Sequence, residues 1–195
     1  MAEWIHPHMR ESLKDHVLET VVETEKVQAY YLKKPGDGRM MSTLILFTPE
    51  GIVLQGDLTL GRNGNVSTLG HGRRWFSGDL SGSYLCEKFL HRVFVPAYAI
   101  EGLRYEILQQ RRQGDITKER ARELWRDCPT ISDDFRGPQE TYDFWTDDLR
   151  NRDGDGCPGY GYEPGEAGRL CVIQQKFAEL YSGSKAEEIQ AVAHG

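Results

Sequence analysis

The sequence predicts an α+β fold, in which an N-terminal antiparallel β-meander is joined by a glycine-rich connection to a C-terminal set of helices that packs against it. Three observations predict this fold. The first part of the chain has short runs of β-branched and aromatic residues separated by turn residues. Residues 56–90 then contain closely spaced glycines together with aromatic residues. The second half has apolar residues at helical spacing.

The predicted strands follow one another in the N-terminal part of the chain. A short helix is predicted over 8–19, and a first strand over 21–33, where Val and Tyr are frequent. The proline and glycines of 34–39 favour a turn. Two more strands are predicted over 42–48 and 51–58, and the short connection between them indicates an antiparallel hairpin.

Helix start and stop signals divide the second half. A serine at Ser81 or Ser83 can cap one helix, and Pro96 suits the first turn of the next. Gly114 is placed to end that helix, and Thr117 to cap the one that follows. The predicted helices cover 84–91, 97–112, 118–128, 139–150 and 165–181.

Chain length and composition predict one domain. At 195 residues the chain is long enough to bury a sizeable core. We expect a single α+β domain over 1–183, with a sheet half at about 20–80 and a helical half at about 83–183. Residues 184–195 are rich in Ala, Glu and Gln, and form a polar tail that either extends the last helix or frays.

Charge and hydropathy exclude several classes of protein. The net charge of −6 argues against direct nucleic-acid binding, because phosphate contacts require a basic surface. No apolar run is long enough to span a membrane. The first residues lack the features of a signal peptide, which favours a location in the cytoplasm of a host cell. The four cysteines lack metal-site spacing and are expected to be free thiols.

The candidate binding residues lie in two segments of unusual composition. Trp75-Phe76 lies beside a basic pair in the glycine-rich block, where it serves either as core or, less often, as an exposed anchor. Acidic residues cluster over 133–155, directly after a basic stretch over 104–126. The candidate binding residues are His71, Arg73, Arg74, Trp75, Asp133, Asp134, Asp147 and Asp148.

A divalent-cation site is the alternative interpretation of some of these residues. Carboxylates with a histidine can bind a metal ion or perform acid–base chemistry. Residues 151–156 follow the first half of a calcium-binding loop, but Tyr162 stands where the loop requires a glutamate, so a sharp turn is favoured. The candidate ligands are Asp57, His71, Asp79, Asp153 and Asp155. Apart from this cation no cofactor is expected, and no catalytic residue is assigned.

Several segments resemble an uncharacterised family of phage- and prophage-encoded proteins. The pattern consists of a strand ending in a Gly-Asp turn, an aromatic segment, a helix of the form Y-[LW]-x-E-K-[LF] and an apolar helix at the C-terminus. Gly56-Asp57, Trp75-Phe76, residues 84–89 and residues 170–177 follow this outline, in pieces that cover about half the chain. The resemblance implies a phage context, and it assigns no catalytic residue.

From these features we expect a phage-encoded accessory protein that binds a host or phage macromolecule, with a protein as its partner. The sharpest form of this expectation is an inhibitor of a host defence system such as CRISPR-Cas. Two alternatives remain open. One is a metal-dependent hydrolase or nuclease that uses the candidate ligands. The other is a homodimeric structural or regulatory protein.

Overall fold

The chain divides into two structural units, Met1–His91 with Pro164–Gly195, and Arg92–Glu163. The computed structural model describes residues 7–36, 42–58, 65–132, 135–149 and 158–193. Within these residues, an N-terminal antiparallel sheet is followed along the chain by helices, which confirms the predicted α+β class. The extent of a single domain over 1–183 stays a prediction.

The first unit contains a five-stranded sheet in which strands that follow one another in sequence are neighbours, all antiparallel. This arrangement is the predicted meander. The strands are β1 (Val17–Glu23), β2 (Gln28–Lys33), β3 (Thr43–Phe47), β4 (Gly51–Gly56) and β5 (Asn65–Leu69).

The first predicted strand is in fact the hairpin of β1 and β2. The hydroxyl of Thr24 accepts a 2.9 Å hydrogen bond from the Val27 amide, and the Val27 carbonyl accepts one from the Thr24 amide. A threonine side chain thus closes a turn that has neither glycine nor proline. The helix predicted over 8–19 is shorter, because α1 (Pro7–Ser12) ends before β1 begins at Val17.

Gly56 is required by the approach of two backbones at the end of β4. Its φ is +143°, and a Cβ at this position would lie 2.2 Å from the carbonyl oxygen of Ser42. Only a residue without a side chain fits this contact without a shift of the backbone.

The core of the first unit joins the sheet to three helices. They are α2 (Arg73–Phe76), α3 (Gly82–Phe89) and the long α7 (Pro164–Ala193). The ring centroid of Phe47 on β3 lies 5.4 Å from that of Phe177 on α7 and 6.0 Å from that of Phe76 on α2. All three phenylalanines are buried. The polar residues 184–193 continue α7.

The second unit consists mainly of helices. They are α4 (Pro96–Gln113), α5 (Lys118–Asp127) and α6 (Pro138–Asp143), which continues into a π-helix, Phe144–Asp148. As predicted, Gly114 adopts a left-handed conformation after α4, and the Thr117 hydroxyl caps α5 by accepting a 3.1 Å bond from the Arg120 amide. The core contains Leu103, Ile107, Leu124, Cys128, Phe144, Trp145 and Leu149.

A two-stranded sheet in the second unit was not predicted. It pairs β6 (Val93–Phe94) with β7 (Tyr160–Gly161). Strands of two residues are too short to show the alternation by which a strand is recognised in a sequence. Among the helices within the described ranges, none combines the length and apolar character that a membrane crossing requires.

Candidate functional site

An aromatic surface lies on the first unit, where β5 leads into α2. We define it by Leu69, His71, Trp75 and Tyr84. The imidazole of His71 stacks on the indole of Trp75, with ring centroids 4.1 Å apart and an angle of 14° between the planes. Tyr84 meets the indole edge-on at 6.0 Å. Leu69 is 81% exposed and Tyr84 is 39% exposed.

Local structure explains why these side chains share one region. Gly70 has a φ of +71°, which lets the chain turn away from the sheet immediately after β5. The four residues of α2 then place Phe76 in the core and leave Trp75 half-buried. The Trp75 indole also lies 6.4 Å from the ring of Phe89 on α3. One residue of the Trp-Phe pair is therefore a core residue, and the other reaches the surface.

A buried glutamine attaches the segment after α2 to α7. The Gln174 side chain donates hydrogen bonds from Nε2 to the carbonyl oxygens of Phe76, at 2.7 Å, and of Gly78, at 2.9 Å. Gln174 itself is buried. Because both acceptors are backbone atoms next to α2, these bonds fix the main chain that carries Trp75.

Arg73 faces the sheet and holds α2 against it. Its guanidinium pairs with the carboxylate of Glu23 at 2.5 Å and donates to the hydroxyl of Tyr30. The guanidinium carbon also lies 5.0 Å from the ring centroid of Tyr181. Burial raises the pKa of the Tyr30 phenol, and the neighbouring Arg73 only partly offsets this effect. The contacts of Arg73 are therefore internal to the unit, and its predicted binding role stays a prediction.

Cations border the aromatic surface. Arg74 is exposed on α2. The ammonium of Lys88, which pairs with Glu87 at 2.7 Å, also lies 5.0 Å from the ring centroid of Tyr84. An exposed leucine and three π-systems with basic side chains at their edge form a surface suited to contact with apolar and acidic groups.

Two of the acidic candidates are described, and both belong to the second unit. Asp147 and Asp148 belong to the π-helix of the second unit and are exposed, and the carboxylate of Asp148 lies 3.7 Å from the guanidinium of Arg120. The other four, Asp133, Asp134, Asp153 and Asp155, lie outside the described residues.

The three described metal candidates have different surroundings. Asp57 lies at a cavity of about 440 Å³ whose lining includes Leu58 and Val172 but neither His71 nor Asp79. Asp79 is exposed, and the ring of His71 is engaged with Trp75. Within the described parts of the chain, no three His, Cys, Asp or Glu side chains form a group that could hold a metal ion.

Sequence reasoning proposed His71 and Trp75 as binding candidates but not the other residues of the aromatic surface or Gln174, and the binding role of all of them stays a prediction. Leu69 gave no signal, because a leucine at the end of a strand is ordinarily buried. The sequence signal for Tyr84 was its position in the first turn of α3, three residues after the capping Ser81. The one sequence feature that could have indicated a role for Gln174 is its position among the apolar residues of α7.

Comparison with known proteins shows that part of the chain is similar to a phage family. The model of a phage family, Phage_phiTE_072, matches residues 73–164, a little under half of the chain. The matched segment includes Trp75, Tyr84 and the whole second unit. No curated protein and no solved structure matches. The match confirms the resemblance seen in the sequence and supports a phage-encoded protein family as the origin of this chain.

Proposed function

We propose that this protein is a phage-encoded accessory protein that acts by binding another protein, and that the aromatic surface makes the contact. The observation that carries this proposal is the stacked pair of His71 and Trp75, which follows exposed Leu69 in the chain. The end of the helix that carries Trp75 is held by hydrogen bonds from Gln174 to the carbonyls of Phe76 and Gly78.

The energetics of interfaces support this use of the surface. Aromatic side chains supply much of the binding free energy in protein interfaces, because they bury a large area at a low cost in conformational entropy. The stacking of His71 on Trp75 restricts both rings before a partner arrives. Less conformational freedom is then lost on binding, which favours affinity.

The chemistry of the surface favours a protein over a nucleic acid. Leu69 has an almost fully exposed side chain, and burying it against apolar groups of a partner is favourable in free energy. A phosphate backbone offers no such apolar contact. The chain as a whole carries a net charge of −6, which repels nucleic acid.

The finer proposal is that the partner belongs to a host defence system, such as a CRISPR-Cas complex. The phage context supports it, because a phage gains from a small protein that occupies a functional surface of a host immune complex. Binding alone is sufficient for such an inhibitor, and the aromatic surface supplies a contact.

The test is affinity purification of the tagged chain from infected host cells, with the surface variants Trp75→Ala and Leu69→Ser. We expect a partner that the unaltered chain retains and both variants lose. The matched control is Val21→Ser, which changes an exposed apolar residue on β1 and should retain the partner. Equal recovery with all four chains would contradict the proposal.

A second assay tests the finer proposal. Plating efficiency of a phage that encodes each variant is compared on a host with the defence system and on the same host without it. A lower plating efficiency of the Trp75→Ala phage only on the host with the defence system supports inhibition of defence. An equal loss on both hosts points to a partner outside host defence.

A further inference from the structure

The second unit has an exposed face that combines apolar and basic side chains. Tyr105 and Leu108 on α4 are 60% and 42% exposed, and Trp125 on α5 is 43% exposed. Large apolar side chains gathered at this exposure typically indicate an interaction site.

Arg104 connects the two helices of this face. Its guanidinium carbon lies 5.5 Å from the ring centroid of Trp125. Leu108 follows Arg104 by one helical turn, and Tyr105 is its sequence neighbour, so all three project from adjoining positions of α4. The apolar groups of α4 and the indole of α5 therefore lie around one arginine.

Charged side chains of both signs lie on α4 and α5, and cations are the more frequent. Four exposed cations on α4 and α5 form no ion pair within the described residues, namely Arg111, Arg112, Lys118 and Arg122. Arg120 and Arg126, on the same helices, pair with Glu123 and Asp127. Exposed carboxylates are also present, namely Glu101 on α4 a turn before Tyr105, Asp115 in the connection after α4, and Glu119 on α5. Glu119 is six positions before Trp125 and therefore projects from a different side of α5. We call the four cations together with Arg104, Tyr105, Leu108 and Trp125 the basic face.

We propose that the basic face binds an acidic protein segment that carries an apolar anchor. The four cations supply charge complementarity to carboxylates, and Leu108 and Trp125 supply the apolar contact. An acidic protein segment is favoured over nucleic acid because the exposed aliphatic side chain of Leu108 gains by contact with an apolar anchor and not by contact with phosphate.

This inference goes beyond the function proposed for the aromatic surface. The two surfaces lie on different units and share no residue, so substitutions can remove either one alone. Failure at the basic face would leave the role of Trp75 intact, and the reverse also holds.

The test is selection of binders to the full-length chain from a random peptide library, followed by fluorescence anisotropy with the enriched peptides. We expect the enriched peptides to be rich in Asp and Glu around an apolar residue. The double variant Arg111→Glu/Arg122→Glu should weaken their binding by tenfold or more, and Trp125→Ala by about thirtyfold. Higher salt should also weaken the binding.

Controls separate a contact effect from a folding effect. Arg111→Lys/Arg122→Lys preserves the charge and should bind within about threefold of the unaltered chain. Lys26→Glu, on the β1–β2 turn of the first unit, should bind as the unaltered chain does. Thermal unfolding of every variant verifies that the second unit remains folded.

Three results would overturn the proposal. One is that the enriched peptides lack acidic residues, or that the double variant binds all of them as tightly as the unaltered chain does. Another is tight binding of an oligothymidine probe that requires Arg111 and Arg122, which would make the face a nucleic-acid site. The third is a dimer by light scattering that the double variant dissociates, which would make a second copy the occupant.

Discussion

Gln174 Nε2 donates a 2.7 Å hydrogen bond to the carbonyl oxygen of Phe76, a residue 98 positions earlier in the chain. This bond links the long C-terminal helix to the four-residue helix that presents Trp75. A four-residue helix has too few internal hydrogen bonds to be stable by itself. The position of the stacked His71–Trp75 pair therefore depends on an anchor far away in sequence.

Replacing Gln174 by alanine should lower the free energy of unfolding by about 2–3 kcal/mol, since two backbone carbonyls lose their donor and a buried side chain is removed. Urea denaturation measures this change. Gln175→Ala is the control, because Gln175 is only partly buried on the same helix, and it should change stability by less than about 0.5 kcal/mol. Equal effects of the two substitutions would show that Gln174 is no anchor.

Gly56→Ala should destabilise the sheet by about 2–4 kcal/mol. The new Cβ would lie 2.2 Å from the Ser42 carbonyl oxygen, at a φ of +143° that side chains rarely adopt. Gly72→Ala is the control, since a Cβ there meets nothing within 4 Å and its φ is −126°. Thermal unfolding compares the two variants. A Gly56→Ala protein as stable as Gly72→Ala would contradict the close approach of β3 and β4.

Stability should fall as the solution becomes strongly alkaline, because of Tyr30. Burial raises the pKa of its phenol above the ordinary value of about 10. Below that value both folded and unfolded chains hold the proton, so the full stability is present. At higher pH the unfolded chain loses the proton first. The free energy of unfolding therefore decreases as the pH rises from the unfolded pKa to the folded pKa.

Absorbance at 295 nm checks this effect. In the folded protein one phenol should ionise at higher pH than exposed tyrosines do, and this late step should be missing in Tyr30→Phe. The decrease in stability should also be shallower in that variant. Ionisation of Tyr30 together with the exposed tyrosines would contradict its burial against Arg73.

The described cysteines should resist thiol reagents in the folded protein. Cys86, Cys128 and Cys171 are buried. Contact with the Cys171 thiol, together with burial, raises the pKa of Cys86, and burial raises that of Cys128. The thiolate is the reactive form, so both effects slow the reaction of these two thiols. The contact with Cys86 lowers the pKa of Cys171, so Cys171 is protected by its burial alone.

A Cys157→Ser variant limits the measurement to these three thiols. Reaction with Ellman's reagent at mildly alkaline pH should be at least about tenfold slower in the folded chain than in urea, where all three react. Fast reaction of even one thiol in the folded chain would contradict its burial.

Much of the fold is local in origin, and this part was predictable. Ser81 and Thr117 are the N-caps of α3 and α5, and Gly114 ends α4. Each of these residues acts through its own backbone conformation or through a hydrogen bond to an amide three residues away. Such features depend on a few neighbouring residues, so the sequence displays them directly.

The features that were missed have no distinctive residue type in the sequence or depend on a contact between distant parts of the chain. Thr24 closes the β1–β2 turn with a side chain that is equally common inside strands. Leu69 is exposed at the end of a strand whose pattern does not distinguish a buried from an exposed terminus. Gln174 functions only because α7 passes beside Phe76.

Hydrogen–deuterium exchange of the chain with and without its captured partner tests the central claim most directly. If the aromatic surface makes the contact, amides over 69–84 should gain protection in the complex, and the Trp75→Ala chain should neither bind nor gain it. Protection confined to other segments, together with normal binding by Trp75→Ala, would contradict the claim.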